Sequence, residues 1–264
     1  MGTPAVIVGG GFDDIRSRDL RFLEEAARLG ELTVLLWSDA ALAERIGVPP
    51  QFPFAERAYF LEAVRFVRRV VATDAWDAVP TGLDADIWAA RDDNPECARL
   101  ARRSGLAYRV LTGLEGFPEP ASPPPATNRN KVAVTGCFDW LHSGHVRFFE
   151  EASGYGDLYV FLGNDKCIEG LKGKGHPLHP EDERRYVVGA IKYVTKAQVS
   201  TGSGWLDADA EMRALKPDVL VVNEDGDRDE KRAYYRELGI EYRVLKRAPA
   251  PGLPARSSTD LRGF

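Results

Sequence analysis

The chain is 264 residues long, enough for two ordinary domains, each with its own core. Its hydrophobic content of 44% and charged content of 28% are those of a folded globular protein. A net charge of -5 gives no broad electrostatic reason to expect nucleic acid as a partner. No apolar run approaches the roughly 18 residues needed to cross a bilayer, so a membrane is not expected as a partner either.

From its first residues the chain moves into a strand pattern, Ala5-Val-Ile-Val8, without a basic leader, so no signal peptide is expected. Val6 stands where a myristoylation signal needs Ser or Thr. Cys97, Cys137 and Cys167 are odd in number and widely spaced, which excludes a disulfide framework and a Cys-x-x-Cys metal site. The expected compartment is reducing, hence cytoplasmic.

Residues 118–126 form the only proline-dense stretch and read as a semi-rigid linker. The expected organisation is therefore a first domain at 1–117, a linker at 118–130 and a second domain at 131–264. The two domains read as copies. Phe12-Asp13 aligns with Phe138-Asp139, and the register holds through Phe22 and Phe148, Glu24-Glu25-Ala26 and Glu150-Glu151-Ala152, and Asp39 and Asp165. Glu56-Arg57 aligns with Glu183-Arg184, and Tyr108–Leu111 with Tyr242–Leu245. Three ordered blocks of agreement indicate a tandem duplication.

In the second copy, strands are predicted at 131–135, 158–163, 219–222 and 241–245, with a short one near 196–199. Helices are predicted at 144–153, 181–192, 207–215 and 229–238. This alternation predicts an α/β fold, two tandem Rossmann-like domains with mostly parallel sheets and right-handed crossovers. Ligands in such sheets bind at the carboxyl ends of the strands.

That edge is where the densest chemistry falls. The first strand ends at Gly136, and Cys137, Phe138 and Asp139 lead to His142-Ser-Gly144-His145 at the start of a helix. A helix N-terminus offers free N–H groups and a positive dipole end, and two imidazoles with a glycine between them suit a polyphosphate. A lone histidine here would read as a cap or a packed core residue. Cys137 has no evident base beside it and reads as a small turn residue rather than a nucleophile. The first copy has Arg16, Arg18 and Asp19 at the positions of His142, Gly144 and His145, and an aspartate there would repel a triphosphate.

Asp165 closes the second strand. Lys172 and Lys174, set among glycines in Leu171–Pro180, form a basic loop suited to following triphosphate charge. Arg184, near the start of the next helix, reads either as a bidentate phosphate ligand or as half of a helix-surface salt bridge. His176 and His179, each beside a proline, read as loop-shaping. Near the end, Ser257-Ser258-Thr259 can cap a short helix and offer hydroxyl and N–H groups to phosphate oxygens.

The segment Gly136-x-Phe138-Asp139-x-x-His142-x-Gly144-His145 resembles the H-x-G-H signature of the nucleotidyltransferase superfamily. Arg256-Ser-Ser-Thr-Asp-Leu-Arg262 resembles its second signature, with arginine replacing the usual isoleucine. The second copy is similar to cytidylyltransferases and their adenylyltransferase relatives. The tandem arrangement with one degenerate copy resembles the ethanolamine-phosphate cytidylyltransferases. The resemblance implies transfer of a nucleotidyl group to a small phosphate monoester or phosphonate, by direct in-line attack on the α-phosphorus and release of pyrophosphate. It further implies that His142 and His145 donate to the phosphates and that Lys172 or Lys174 stabilises the transition state. Arg184, Ser258 and Thr259 would then clamp the β- and γ-phosphates.

The triphosphate implies Mg²⁺, with Asp139 or Asp165 as the carboxylates offered to it. The terminal signature looks like the cytidylyltransferases, whereas Leu171–Arg184 looks like the heptose-phosphate adenylyltransferases. CTP is the favoured nucleotide and ATP the alternative, with a non-catalytic nucleotide-binding regulator as the competing class. Pairing of the two copies implies a pseudo-dimeric monomer, the alternative being a homodimer.

Overall fold

The structure, a computed structural model, describes residues 2–119 and 127–262, so most of the proline-rich linker lies outside the described residues. The chain divides into two compact units, Met1–Gly116 and Phe117–Phe264. Each is an α/β unit of Rossmann-like architecture built on a five-stranded, wholly parallel sheet.

The first unit runs β1 (Ala5–Gly10), α1 (Ser17–Ala27), β2 (Glu31–Trp37), α2 (Asp39–Ile46), α3 (Phe54–Ala63), β3 (Arg69–Thr73), β4 (Ile87–Ala90), α4 (Pro95–Arg103) and β5 (Ala107–Val110). The second runs β6 (Lys131–Gly136), α5 (Ser143–Ser153), β7 (Asp157–Leu162), α6 (Asp165–Lys172), α7 (Glu181–Gly189), β8 (Val194–Val199), α8 (Asp209–Leu215), β9 (Val219–Asn223), α9 (Asp229–Glu237), β10 (Glu241–Leu245) and α10 (Ser258–Arg262). The sheet orders, β3-β2-β1-β4-β5 and β10-β9-β6-β7-β8, are one order read from opposite ends. In both, the first strand of the unit lies at the centre, and the chain crosses to either side of it. This creates a crevice at the carboxyl ends of β6 and β9.

The central strands are buried on both faces, so they read as unbroken apolar runs. Val6 to Val8 and Val132 to Val134 are all essentially without solvent contact. The structure alters some predicted bounds. β8 is a full edge strand rather than a short one, pairing with β7 across an irregularity at Leu158/Tyr159. Its polar Thr195, Lys196 and Gln198 dilute the signal. Helix α7 stops at Gly189, short of the predicted 192, and a 3-10 turn at Gly204–Leu206 precedes α8. Lys172 belongs to α6 rather than to a loop. Asn164 caps that helix through the Cys167 N–H, and Gly173, at φ 89°, ends it.

One device recurs at the carboxyl edge of both sheets. The Arg184 side chain, 1% exposed, donates from Nε to the His179 carbonyl (3.0 Å) and from Nη1 to the Cys137 carbonyl (2.8 Å). Its Nη2 donates to the Gly163 carbonyl (2.8 Å) and to Asp165 (2.7 Å). Arg57, equally buried, makes the matching bonds to Phe52, Gly11, Trp37 and Asp39. The backbone N–H groups of Leu178 and His179 donate to Asp139, as those of Gln51 and Phe52 do to Asp13. The two arginines thus staple the loops that follow the first two strands of each unit.

The fold of those loops carries strain. Phe138 and Phe12 sit at φ 50° and 47°, a conformation that costs a phenylalanine on the order of 1–3 kcal/mol. Packing over-determines it: the Phe138 ring lies 5.0 Å from that of Phe149 and folds back over Gly136. A Cβ at Gly136 would stand 2.7 Å from that ring, so the strand must end in glycine.

Removing one partner from a buried charged network costs about 3 kcal/mol or more. Arg184→Met is therefore expected to lower stability by about that amount, with hydrogen exchange opening β6 and β7 while β1 and β2 stay protected. Arg57→Met is expected to do the reverse. A loss below about 1 kcal/mol for either would contradict the stapling role.

Candidate active site

The two histidines stand at the mouth of α5. His142 is the N-cap residue, with Nδ1 accepting from the Gly144 N–H at 3.1 Å. That bond puts the ring proton of neutral His142 on Nε2, so the imidazole serves as cap and hydrogen-bond donor at once. The His145 ring lies 4.0 Å from that of His142 and edge-on to Phe138 at 5.4 Å. His145 bonds to the Trp140 backbone, while its Nδ1 is buried with no hydrogen-bond partner among the described residues.

Burial above all holds the His145 pKa well below the usual histidine value, and His142 and the cations Arg247 and Lys172 add to the effect. The ring is therefore neutral near pH 7. Gly144 has little room for a side chain, because a Cβ would come 3.0 Å from His142 and 3.8 Å from the Arg256 carbonyl. No acidic residue occupies the first turn of α5.

The C-terminal segment comes back to this mouth. The Ser258 hydroxyl donates to the Trp140 carbonyl at 3.2 Å, joining stretches 118 residues apart. Ser257 exchanges hydrogen bonds with Asp260, its hydroxyl donating at 2.6 Å and accepting the Asp260 N–H at 3.1 Å, so it caps α10. Thr259 is exposed.

Arg247, which sequence reasoning does not single out, sits just beyond β10. It donates to Asp225 (2.9 Å) and to the Arg256 carbonyl (3.2 Å), tying the turn after β9 to the C-terminal segment. Its signal is faint: a Lys-Arg pair one step past a strand reads as surface charge. The repeat register places Gly113 at its position in the first unit.

The remaining predicted site residues divide. Lys172, at the end of α6, is near enough to depress the His145 pKa. Lys174 is exposed between Gly173 and Gly175, both at φ 89°. Arg184 is engaged within the fold, its guanidinium donating to three carbonyls and pairing with the part-exposed Asp165. Cys137 contributes its carbonyl to that staple, and its thiol is free.

Asp139 is buried and holds two backbone N–H groups, while Asp165 pairs with Arg184 and accepts from the Glu181 N–H. The carboxylates offered for Mg²⁺ are thus already engaged. No group of three His, Cys, Asp or Glu suited to a metal occurs among the described residues. The residues present do not fit a protein-held ion. His179 packs edge-on to Trp140 at 5.8 Å, with Nδ1 3.4 Å from Glu183.

In the first unit the corresponding mouth is closed by its own charges. Asp19 pairs with Arg91 at 2.6 Å and accepts the Arg16 N–H, and Arg16 pairs with Asp14. A carboxylate occupies the first turn of α1, where an anion would otherwise gather.

Residues 133–264 match the family model described as Cytidylyltransferase-like. An FAD synthase from Ferroglobus placidus is 39% identical over 119 residues, 44% of this chain and 74% of that protein. An FAD synthase from Methanocella paludicola is 33% identical over 50% of this chain and 93% of its own length. The bifunctional protein HldE of Pseudomonas fluorescens is 36% identical over 50% of this chain, but the match spans only 27% of HldE. No helix among the described residues is long and apolar enough to cross a membrane.

A histidine whose folded pKa is depressed resists protonation that the unfolded chain accepts. Its contribution to stability is therefore present above the unfolded value near 6.5 and is lost as pH falls toward the folded value. The slope from one such group is at most about 1.4 kcal/mol per pH unit. Urea unfolding is expected to show stability falling below pH 6.5, with a shallower fall in His145→Gln. The His145 ring signals are expected not to titrate between pH 6 and 8, and a midpoint at or above 6.5 would contradict the buried neutral state.

Proposed function

We propose that this chain, which belongs to the cytidylyltransferase-like family of nucleotidyltransferases, joins a nucleoside triphosphate to a small phosphorylated acceptor in its second unit, releasing pyrophosphate. The reading rests on one arrangement above all. A histidine cap with its proton on Nε2 stands beside a second imidazole at an acid-free helix mouth, with Lys172 and Arg247 close by.

The acceptor phosphate is already an anionic nucleophile and needs no strong base. Its oxygen bonds to the α-phosphorus as the α–β bridging bond breaks, and the electron pair leaves with pyrophosphate. Catalysis is then positioning and charge neutralisation. His142 donates from Nε2 to a phosphate oxygen. His145 stays neutral until the polyphosphate arrives, when the added negative charge favours protonation at Nδ1. Lys172 and Arg247 neutralise the leaving group, and the Ser258–Trp140 contact holds the terminal segment over the mouth. The first unit keeps the scaffold without these donors, as a structural or regulatory copy left by duplication.

ATP is the better supported nucleotide. Two relatives are named for synthesis of FAD, an adenine-containing product, and Leu171–Arg184 is similar to the corresponding stretch of adenylyltransferases. CTP stands as the second reading, carried by the cytidylyltransferase-like terminal segment Ser257–Arg262.

Pyrophosphate release from ATP or CTP with Mg²⁺ and a panel of phosphomonoesters, a flavin phosphate among them, tests this. Turnover is expected with ATP at least tenfold above CTP. His142→Asn retains a capping side chain, so it should leave the fold intact while lowering kcat by about 10²–10³, the range for losing one transition-state donor. No release from either nucleotide would overturn the proposal, and faster release from CTP would replace ATP with the second reading.

A further inference from the structure

A cavity of about 250 Å³ opens at the carboxyl edge of the first unit, between the end of β2, the segment after β3 and helix α4. It lies apart from the α1 mouth, which Asp19, Arg91, Arg16 and Asp14 fill with their own ion pairs. Its walls combine two indoles, Trp37 and Trp76, with guanidinium groups. Arg45 stands over the Trp76 ring at 4.6 Å and is 3.6 Å from Glu96, a loose pair. Arg99 and Arg103 line the cavity from successive turns of α4, and neither has an ion-pair partner among the described residues.

Like charges four residues apart on a helix repel, and an anion bound between Arg99 and Arg103 would relieve that repulsion. Asp77 adds a carboxylate to the lining. Three guanidiniums against the two carboxylates of Asp77 and Glu96 leave one positive charge in excess.

We infer that this cavity is a ligand site of the first unit, taking an amino-bearing heteroaromatic ring that carries a single anionic group. Each part of that description has a source on its walls. The indoles offer faces for a planar ring. Asp77 accepts from an exocyclic amine, and Arg99 and Arg103 receive the anion as a charge-assisted pair. The net charge of the lining suits one phosphate or carboxylate rather than a triphosphate. The volume agrees: it falls just below the roughly 300–1,000 Å³ of ordinary ligand pockets, so a single mononucleotide-sized molecule is the upper limit. The site lies at the strand ends where ligands of open α/β sheets bind, although this unit has lost the histidine mouth.

Isothermal titration of the full chain with AMP and CMP, and with inorganic phosphate alone as the anion control, tests the site. Saturable binding of AMP or CMP is expected, at least tenfold tighter than phosphate. The double variant Arg99→Ala/Arg103→Ala, altered only at exposed positions, should weaken it tenfold or more without shifting the thermal unfolding midpoint. Trp76→Ala should weaken it as well, and His145→Ala should not. Absence of binding at millimolar ligand would overturn the inference. So would binding that survives both first-unit variants, or binding lost with His145→Ala, which would put the ligand in the second unit.

Discussion

A buried guanidinium at the carboxyl edge of each sheet is the constraint on which the rest depends. Alone in the interior such a charge would be prohibitive; here nearly all its donors are spent on backbone carbonyls and one carboxylate. Those carbonyls belong to the loop after β6, the end of β7 and the segment leading to α7. Fixing them fixes where α5 begins, and so where His142 and His145 stand. Arg57 imposes the same geometry on the first unit.

With the scaffold held constant, the chemistry turns on a handful of side chains. Histidine, glycine and histidine leave the α5 mouth free of acid and supplied with a proton donor on Nε2. Arg16 and Asp19, with Asp14 and Arg91, make the α1 mouth an internal ion-pair cluster. Arg247 adds a cation where the first unit has glycine. The two units thus separate the requirements of folding from those of binding an anion.

Much of this architecture is legible in the amino-acid sequence. The central strands stand out as apolar runs because both their faces are covered, and the histidine pair stands out because it breaks an otherwise faithful repeat. The engagement of Arg184 is hidden because burial is invisible in sequence: an arginine on an amphipathic helix looks the same whether it meets phosphate or its own backbone. Its survival as Arg57 in the copy without histidines is the clue, since a residue kept where the chemistry is gone serves the fold. The partners of Asp139 and Asp165, backbone N–H groups and a buried cation, are hidden for the same reason. Arg247 escapes notice because its relation to His145 is set by strand order, β9 lying beside β6 and β10 beside β9, and not by spacing along the chain. Edge strand β8 is underestimated since its solvent-facing residues interrupt the apolar pattern.

The proposed chemistry needs a polyphosphate mouth in the second unit alone. Calorimetric titration with tripolyphosphate, which has no aromatic ring to engage the indoles of the first unit, addresses it directly. One site per chain is expected, abolished when His142 and His145 are both replaced. Two sites, or one site that persists in that double variant, would contradict it.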